Sequence, residues 1–227
     1  MASSTSPRGQ RWPRSRIESI LAAFIVAVAL LGLSCSKPPP KSELQTLFEE
    51  AIVLQRHGDL QGALDAYDKV IQMDPNLAEA YHGRGLTYGT MNKLDLAMQD
   101  FNTALEKNPN LARAYVDRGW VHERKAELTE AIDDYTTAIS KDPDLVDAYY
   151  ARGIDYYRVN KMDQALDDFS KGISISPNDP RLYLIRASVY VLIHSDALAK
   201  EDLKKVLTLS SDPEVIKRAM TILAGLP

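Results

Sequence analysis

The chain has 227 residues, of which 45% are apolar and 26% charged, with a net charge of −4. This is enough apolar material for a substantial core, and the balance is too acidic for a nucleic-acid-binding surface. One cysteine excludes an internal disulfide, and the scattered histidines His57, His82, His122 and His194 have no metal-ligand spacing.

Residues 1–16 carry four arginines and no acid, and 20–33 read ILAAFIVAVALLGL. Fourteen apolar or small residues fall short of the roughly 20 that a spanning helix needs. A basic stretch followed by a short apolar one predicts a signal peptide over 1–34. The run closes as LGLSCS, which resembles the lipobox of bacterial lipoproteins, with Gly32 where leucine is usual. That resemblance implies cleavage before Cys35, attachment of lipid (palmitate among the acyl chains) to its sulfur, and a place in the bacterial cell envelope facing the periplasm. Ser36 after the cysteine favours the outer membrane. An uncleaved membrane anchor and an organelle transit peptide are the alternatives. Without residues 1–34 the net charge is near −7, so lipid rather than a basic patch would hold the protein to a membrane.

Residues 35–43 then form a tether. Pro38, Pro39 and Pro40 favour polyproline II, which makes it a short, semi-rigid spacer. Ser42-Glu43-Leu44-Gln45 reads as a capping box opening the first helix.

From residue 44 the sequence repeats every 34 residues. Pro75, Pro109, Pro143 and Pro177 keep this step, as do Tyr81, Tyr115, Tyr149 and Tyr183, and Ala63, Ala97, Ala131, Ala165 and Ala199. Each unit holds two apolar-periodic stretches parted by a polar break such as HGDL, MNKL or VNKM, which predicts a helix–turn–helix. The residue before each proline ends the second helix. Gly85, Gly119 and Gly153 predict a close helix–helix approach, with Ala97, Ala131 and Ala165 expected opposite them. Tyr81, Phe101 and their equivalents are expected to fill the wider ends of each pair. Arg84, Arg118, Arg152 and Arg186 recur with Asp100, Asp134, Asp168 and Asp202, and the first unit lacks both. Joint presence and joint absence predict four Arg–Asp pairs, each within one unit.

A 34-residue period with these residues resembles the tetratricopeptide repeat. The resemblance implies an all-α solenoid of about five repeats, at 44–77, 78–111, 112–145, 146–179 and 180–211. Residues 212–227 would cap it: Asp212-Pro213 is a helix start, and Val215, Ile216, Ala219, Met220 and Leu223 form an apolar stripe. A docking helix for another chain is the other reading of that segment.

In the family, the first helix of each unit lines a concave groove. Here that implies His82, Leu86, Val116, Trp120, Tyr150 and Ile154 on its floor, with Glu123, Arg124, Tyr157 and Arg158 among the residues edging it. The lysine and asparagine with which chaperone-binding members hold a carboxyl terminus are missing at the corresponding places. An apolar-anchored protein or peptide segment is the implied ligand. Trp120 and Ile154 packing between repeats is the alternative. No P-loop, GxGxxG, HExxH or GxSxG motif occurs, and no base, nucleophile and acid assemble around His82. The expectation is a non-enzymatic, membrane-tethered scaffold without metal or cofactor, with a self-associating structural protein as the alternative.

Overall fold

Among the described residues, eleven short helices follow one another because proline and a left-handed turn residue alternate as stops. The computed structural model describes residues 42–227. In chain order the helices are α1 (Glu43–Arg56), α2 (Leu60–Met73), α3 (Ala78–Thr90), α4 (Leu94–Lys107), α5 (Ala112–Arg124), α6 (Leu128–Lys141), α7 (Val146–Arg158), α8 (Met162–Ile175), α9 (Pro180–Leu192), α10 (Asp196–Leu209) and α11 (Pro213–Ala224). The signal peptide, Cys35 and tether residues 35–41 lie outside the described residues. Among those described, no strand occurs, and no helix is long and apolar enough to cross a membrane.

The turn inside each pair passes through one residue with positive φ: Gly58, Asn92, Ala126, Asn160 and His194, again 34 apart. Glycine and asparagine suit that conformation; Ala126, at φ 62°, is strained there. The second helices end on Asp74, Asn108, Asp142 and Ser176, each the residue before proline; the first three have extended backbone.

Helices pack in antiparallel pairs, and α1, α3, α5 and α7 also touch in succession along the inner side. The core is a line of small clusters, one per repeat. Ala63 with Tyr67, Ala97 with Phe101, and Ala165 with Phe169 are almost completely buried. This is the behaviour of a solenoid, in which each unit contacts only its neighbours.

Two packing expectations change. The recurring glycines do face a crowded neighbour, but it is an aromatic ring and not an alanine. A Cβ on Gly85, Gly119 or Gly153 would lie 2.8, 2.7 or 2.6 Å from the ring of Phe101, Tyr135 or Phe169. Tyr149 and Tyr183 are buried as expected, but Tyr81 and Tyr115 are only half-buried, and their hydroxyls donate to the carbonyls of Pro75 and Pro109 at the surface.

The terminal helix α11 lies on the last repeat. Val215, Ala219, Ile222 and Leu223 pack against Tyr183, Leu184, Leu203 and Val206. Met220, expected in that stripe, is 55% exposed, because the helix turns Ile222 inward instead. The cap is asymmetric. Val53 on α1 is 50% exposed, whereas its equivalents Thr87, Val121 and Val189 are fully buried beneath the preceding repeat.

Candidate functional site

The groove is built on α3, α5, α7 and α9. Helical spacing puts residues three and four apart on one surface. In α5 this aligns Val116, Trp120, Glu123 and Arg124; in α7 it aligns Tyr150, Ile154, Tyr157 and Arg158.

A recess of about 490 Å³ lies between α3 and α5. Leu86 and Phe101 form its apolar floor, Gly89 leaves it open, and Asp117, Asn92 and Arg124 edge it. Trp120 forms one wall. Its ring passes 3.2 Å from where a Cβ on Gly89 would be, and the Arg124 guanidinium lies 5.5 Å above its centre. The indole is 38% exposed, so Trp120 both packs on the preceding repeat and faces solvent. The other expected floor residues are less available. Leu86, Val116, Tyr150 and Ile154 are half-buried and pack into repeat clusters.

His82 does not present a free ring. Its Nε2 is 2.6 Å from Asp117 Oδ2, across the boundary between repeats two and three, and it packs on Phe101. Arg124 also donates to Asn92 at 3.0 Å, joining the same two repeats.

The Arg and Asp rows form bidentate pairs. Arg84 donates from Nε and Nη2 to Asp100 at 2.8 and 2.7 Å, and Arg118, Arg152 and Arg186 do the same with Asp134, Asp168 and Asp202. The Nη1 of each arginine reaches further, to Asp68, Asn102, Thr136 or Ser170 on the second helix of the preceding repeat. Each arginine therefore joins two repeats. The pairing with Asp100 and Asp134 raises the guanidinium pKa of Arg84 and Arg118. Burial raises Asp168 even beside Arg152, a sign that desolvation takes back much of the attraction.

A second polar group joins repeats three and four inside the groove. Glu123 accepts from the Tyr135 hydroxyl at 2.5 Å and from Arg158 Nη1 at 2.9 Å. That same nitrogen donates to Asp155 Oδ1 at 3.0 Å. Asp155 is fully buried, and its Oδ2 has no hydrogen-bond partner. Burial, with the Glu123 charge second, pushes its carboxyl up to about 6 against the pull of Arg158. Burial and the bond to Glu123 raise the Tyr135 phenol as well. Sequence reasoning did not single out Asp155. The available sign was register: an aspartate stands where the neighbouring repeats have Thr87, Val121 and Val189.

Towards the far end, a smaller recess of about 190 Å³ is lined by Tyr150, Arg181, Leu184, Ile185, Val215 and Arg218. Nothing in the groove aligns a nucleophile with a base. Among the described residues no cluster of three His, Cys, Asp or Glu has metal-site geometry.

Comparison with known proteins matches the Tetratricopeptide repeat profile at residues 78–111 and 146–179, and the TPR repeat profile at 56–92 and 127–160. No curated protein matches the chain in sequence. Among solved structures, MamA is similar at 27% identity over 75% of this chain and 96% of that one, with a TM-score of 0.63. YrrB, described as a TPR protein with an unusual peptide-binding site, is similar at 21% identity over 88% of this chain and 98% of that one, TM-score 0.61. PilW, described as a type IV pilus biogenesis factor, gives 18% identity over 82% and 86%, TM-score 0.71. At these last two identities the likeness is one of fold.

Proposed function

Because the chain is a tetratricopeptide repeat protein, an all-α solenoid of the kind that binds other proteins or peptides, we propose that it is a membrane-tethered adaptor whose concave groove receives an apolar-anchored segment of a partner. The observation that carries this reading is the recess between Leu86, Phe101 and Trp120. A partly exposed indole beside an apolar pocket floored by Leu86 and Phe101 offers a large contact area at little entropic cost. YrrB, a protein of similar fold, is described as having a peptide-binding site, which is in keeping with this reading.

The tether belongs to the same proposal. Lipid on Cys35 and the short proline spacer would keep the groove near a bacterial envelope membrane and raise the local concentration of a membrane-associated partner. Assembly of envelope or pilus structures is a setting that suits such an adaptor; the likeness to PilW supports the fold and not the pathway. Catalysis forms no part of the reading.

Crosslinking in envelope extract, followed by mass spectrometry, tests the groove. Full-length protein should capture a partner that the Trp120→Ala variant loses. Equal capture by both would move the interface to the convex side. Tyr150 and Ile154 are poorer choices for substitution, because their half-buried side chains also hold the fourth repeat together. Metabolic labelling with a palmitate analogue tests the tether: label should enter the protein and vanish with Cys35→Ala.

A further inference from the structure

Asp155 is an anomaly in the architecture. Its place in the repeat is a core position, filled elsewhere by Val121, Val189 and Thr87, which bonds its own helix at the Gly83 carbonyl. A buried carboxylate with one oxygen unpartnered costs stability and contributes no packing that valine would not. The group above it is also incompletely used. Each of the four inter-repeat arginines engages three nitrogens, whereas Arg158 serves both Glu123 and Asp155 through Nη1 alone. Its Nε and Nη2 make no hydrogen bond to the described residues. Two carboxylates thus share one nitrogen of one cation.

The arrangement has depth. Side-chain exposure falls from 47% at Arg158 to 16% at Glu123 and 0% at Asp155. The guanidinium is the outermost of the three groups and the Asp155 carboxyl the innermost. The group adjoins the wall of the apolar recess, since Glu123 is one turn along α5 from Trp120, roughly 5–6 Å away between Cβ atoms.

We propose that Glu123 and Asp155 form the seat for a lysine or arginine side chain of the bound segment, and that Arg158 is the resident cation this side chain displaces. The inference rests on the groove-binding reading and adds the ligand's chemistry: an apolar anchor for the Trp120 recess with a cationic residue next to it. An acidic side chain would meet two carboxylates, and a neutral one would leave them uncompensated after Arg158 moves away. Release of Arg158 to solvent is easy, because it is already half exposed.

The probe is a random peptide library displayed on phage, selected on the purified full chain. Clones are kept only if binding falls with Trp120→Ala. The expected result is enrichment of lysine or arginine near an apolar residue. In synthetic copies, replacing that arginine by citrulline, its neutral isostere, should weaken binding at least about tenfold. Glu123→Gln or Asp155→Asn should reduce that preference to about threefold or less, and Arg158→Ala should tighten the arginine peptide. The citrulline comparison uses unaltered protein, so it stands even if a variant folds poorly. Equal binding of the arginine and citrulline peptides overturns the cation seat and leaves the groove reading intact. Weaker binding to Arg158→Ala overturns the displacement. Failure to select any Trp120-dependent clone removes the groove reading, and this inference with it.

Discussion

At the scale of single residues, Asp155 makes the clearest demand. Its folded pKa, pushed up to about 6, lies above the ordinary carboxylate value of 3.8. The folded state therefore holds this proton more tightly than the unfolded chain. The penalty of the buried charge is complete above about pH 6 and fades as pH falls towards 4. Burial sets this balance first, then the Glu123 charge, with Arg158 opposing both. Asp155→Val should stabilise the protein at pH 7.5 by about 1–3 kcal/mol, and the gain should shrink by pH 4.5. Urea denaturation at both pH values checks this; a loss of stability at pH 7.5 would show that the bond to Arg158 outweighs desolvation. A smaller effect belongs to Ala126, whose positive φ strains an L side chain. Ala126→Gly should raise stability by about 0.5–1 kcal/mol in the same experiment, the strain relieved exceeding the added freedom of the unfolded chain.

At the scale of helices, the arginines are the inter-repeat joints. Arg118 fastens α5 to Asp134 on α6 and to Asn102 on α4. Truncating it leaves Asp134 buried without a counter-charge, so Arg118→Ala should cost about 3–5 kcal/mol. Adding Asp134→Ala should return part of that loss, as a double-mutant cycle would read out. The glycines set the distance between α5 and α6 and between the other pairs. A methyl on Gly119 would meet a Tyr135 ring held in place by Glu123 and its surroundings. Gly119→Ala should destabilise by about 1–3 kcal/mol, overriding alanine's better helix propensity of about 1 kcal/mol. The pairing of Arg with Asp could be read from joint presence and absence along the chain. The third bond to the preceding repeat could not, because Asp68, Asn102, Thr136 and Ser170 share only hydrogen-bonding capacity.

At the scale of the whole molecule, the position of a repeat in the stack decides what an identical register position means. Val53 and Val121 occupy the same place, yet one is half exposed and the other completely buried. Val121→Asp should cost several kcal/mol, and Val53→Asp less than about 1 kcal/mol. Thermal melts of the two variants side by side test this. Similar losses would mean that the outer face of α1 is covered in the intact protein. The other end differs, since α11 seats its apolar side on Tyr183 and Leu203. That use of the stripe favours the capping reading over a docking helix. The groove also belongs to this scale. The recess beside Trp120 needs Leu86 and Gly89 from one repeat and Trp120 and Asp117 from the next.

The sequence by itself determined the helices, their order, the 34-residue repeat and the family. Those follow from local rules: proline stops a helix, period 3.6 buries one face, and a unit too small for its own core must stack. The family resemblance also put Trp120 among the residues expected to line a groove. The tertiary structure decided which groove residues are available. His82 is bound to Asp117, Tyr150 and Ile154 lean into the core, and Trp120 stays open. It alone brought Glu123, Tyr135, Asp155 and Arg158 together, from three helices of two repeats. Local periodicity fixes where a side chain points on its own helix. What it meets depends on the separation and angle of the next pair, and those are set by rings and glycines remote in sequence.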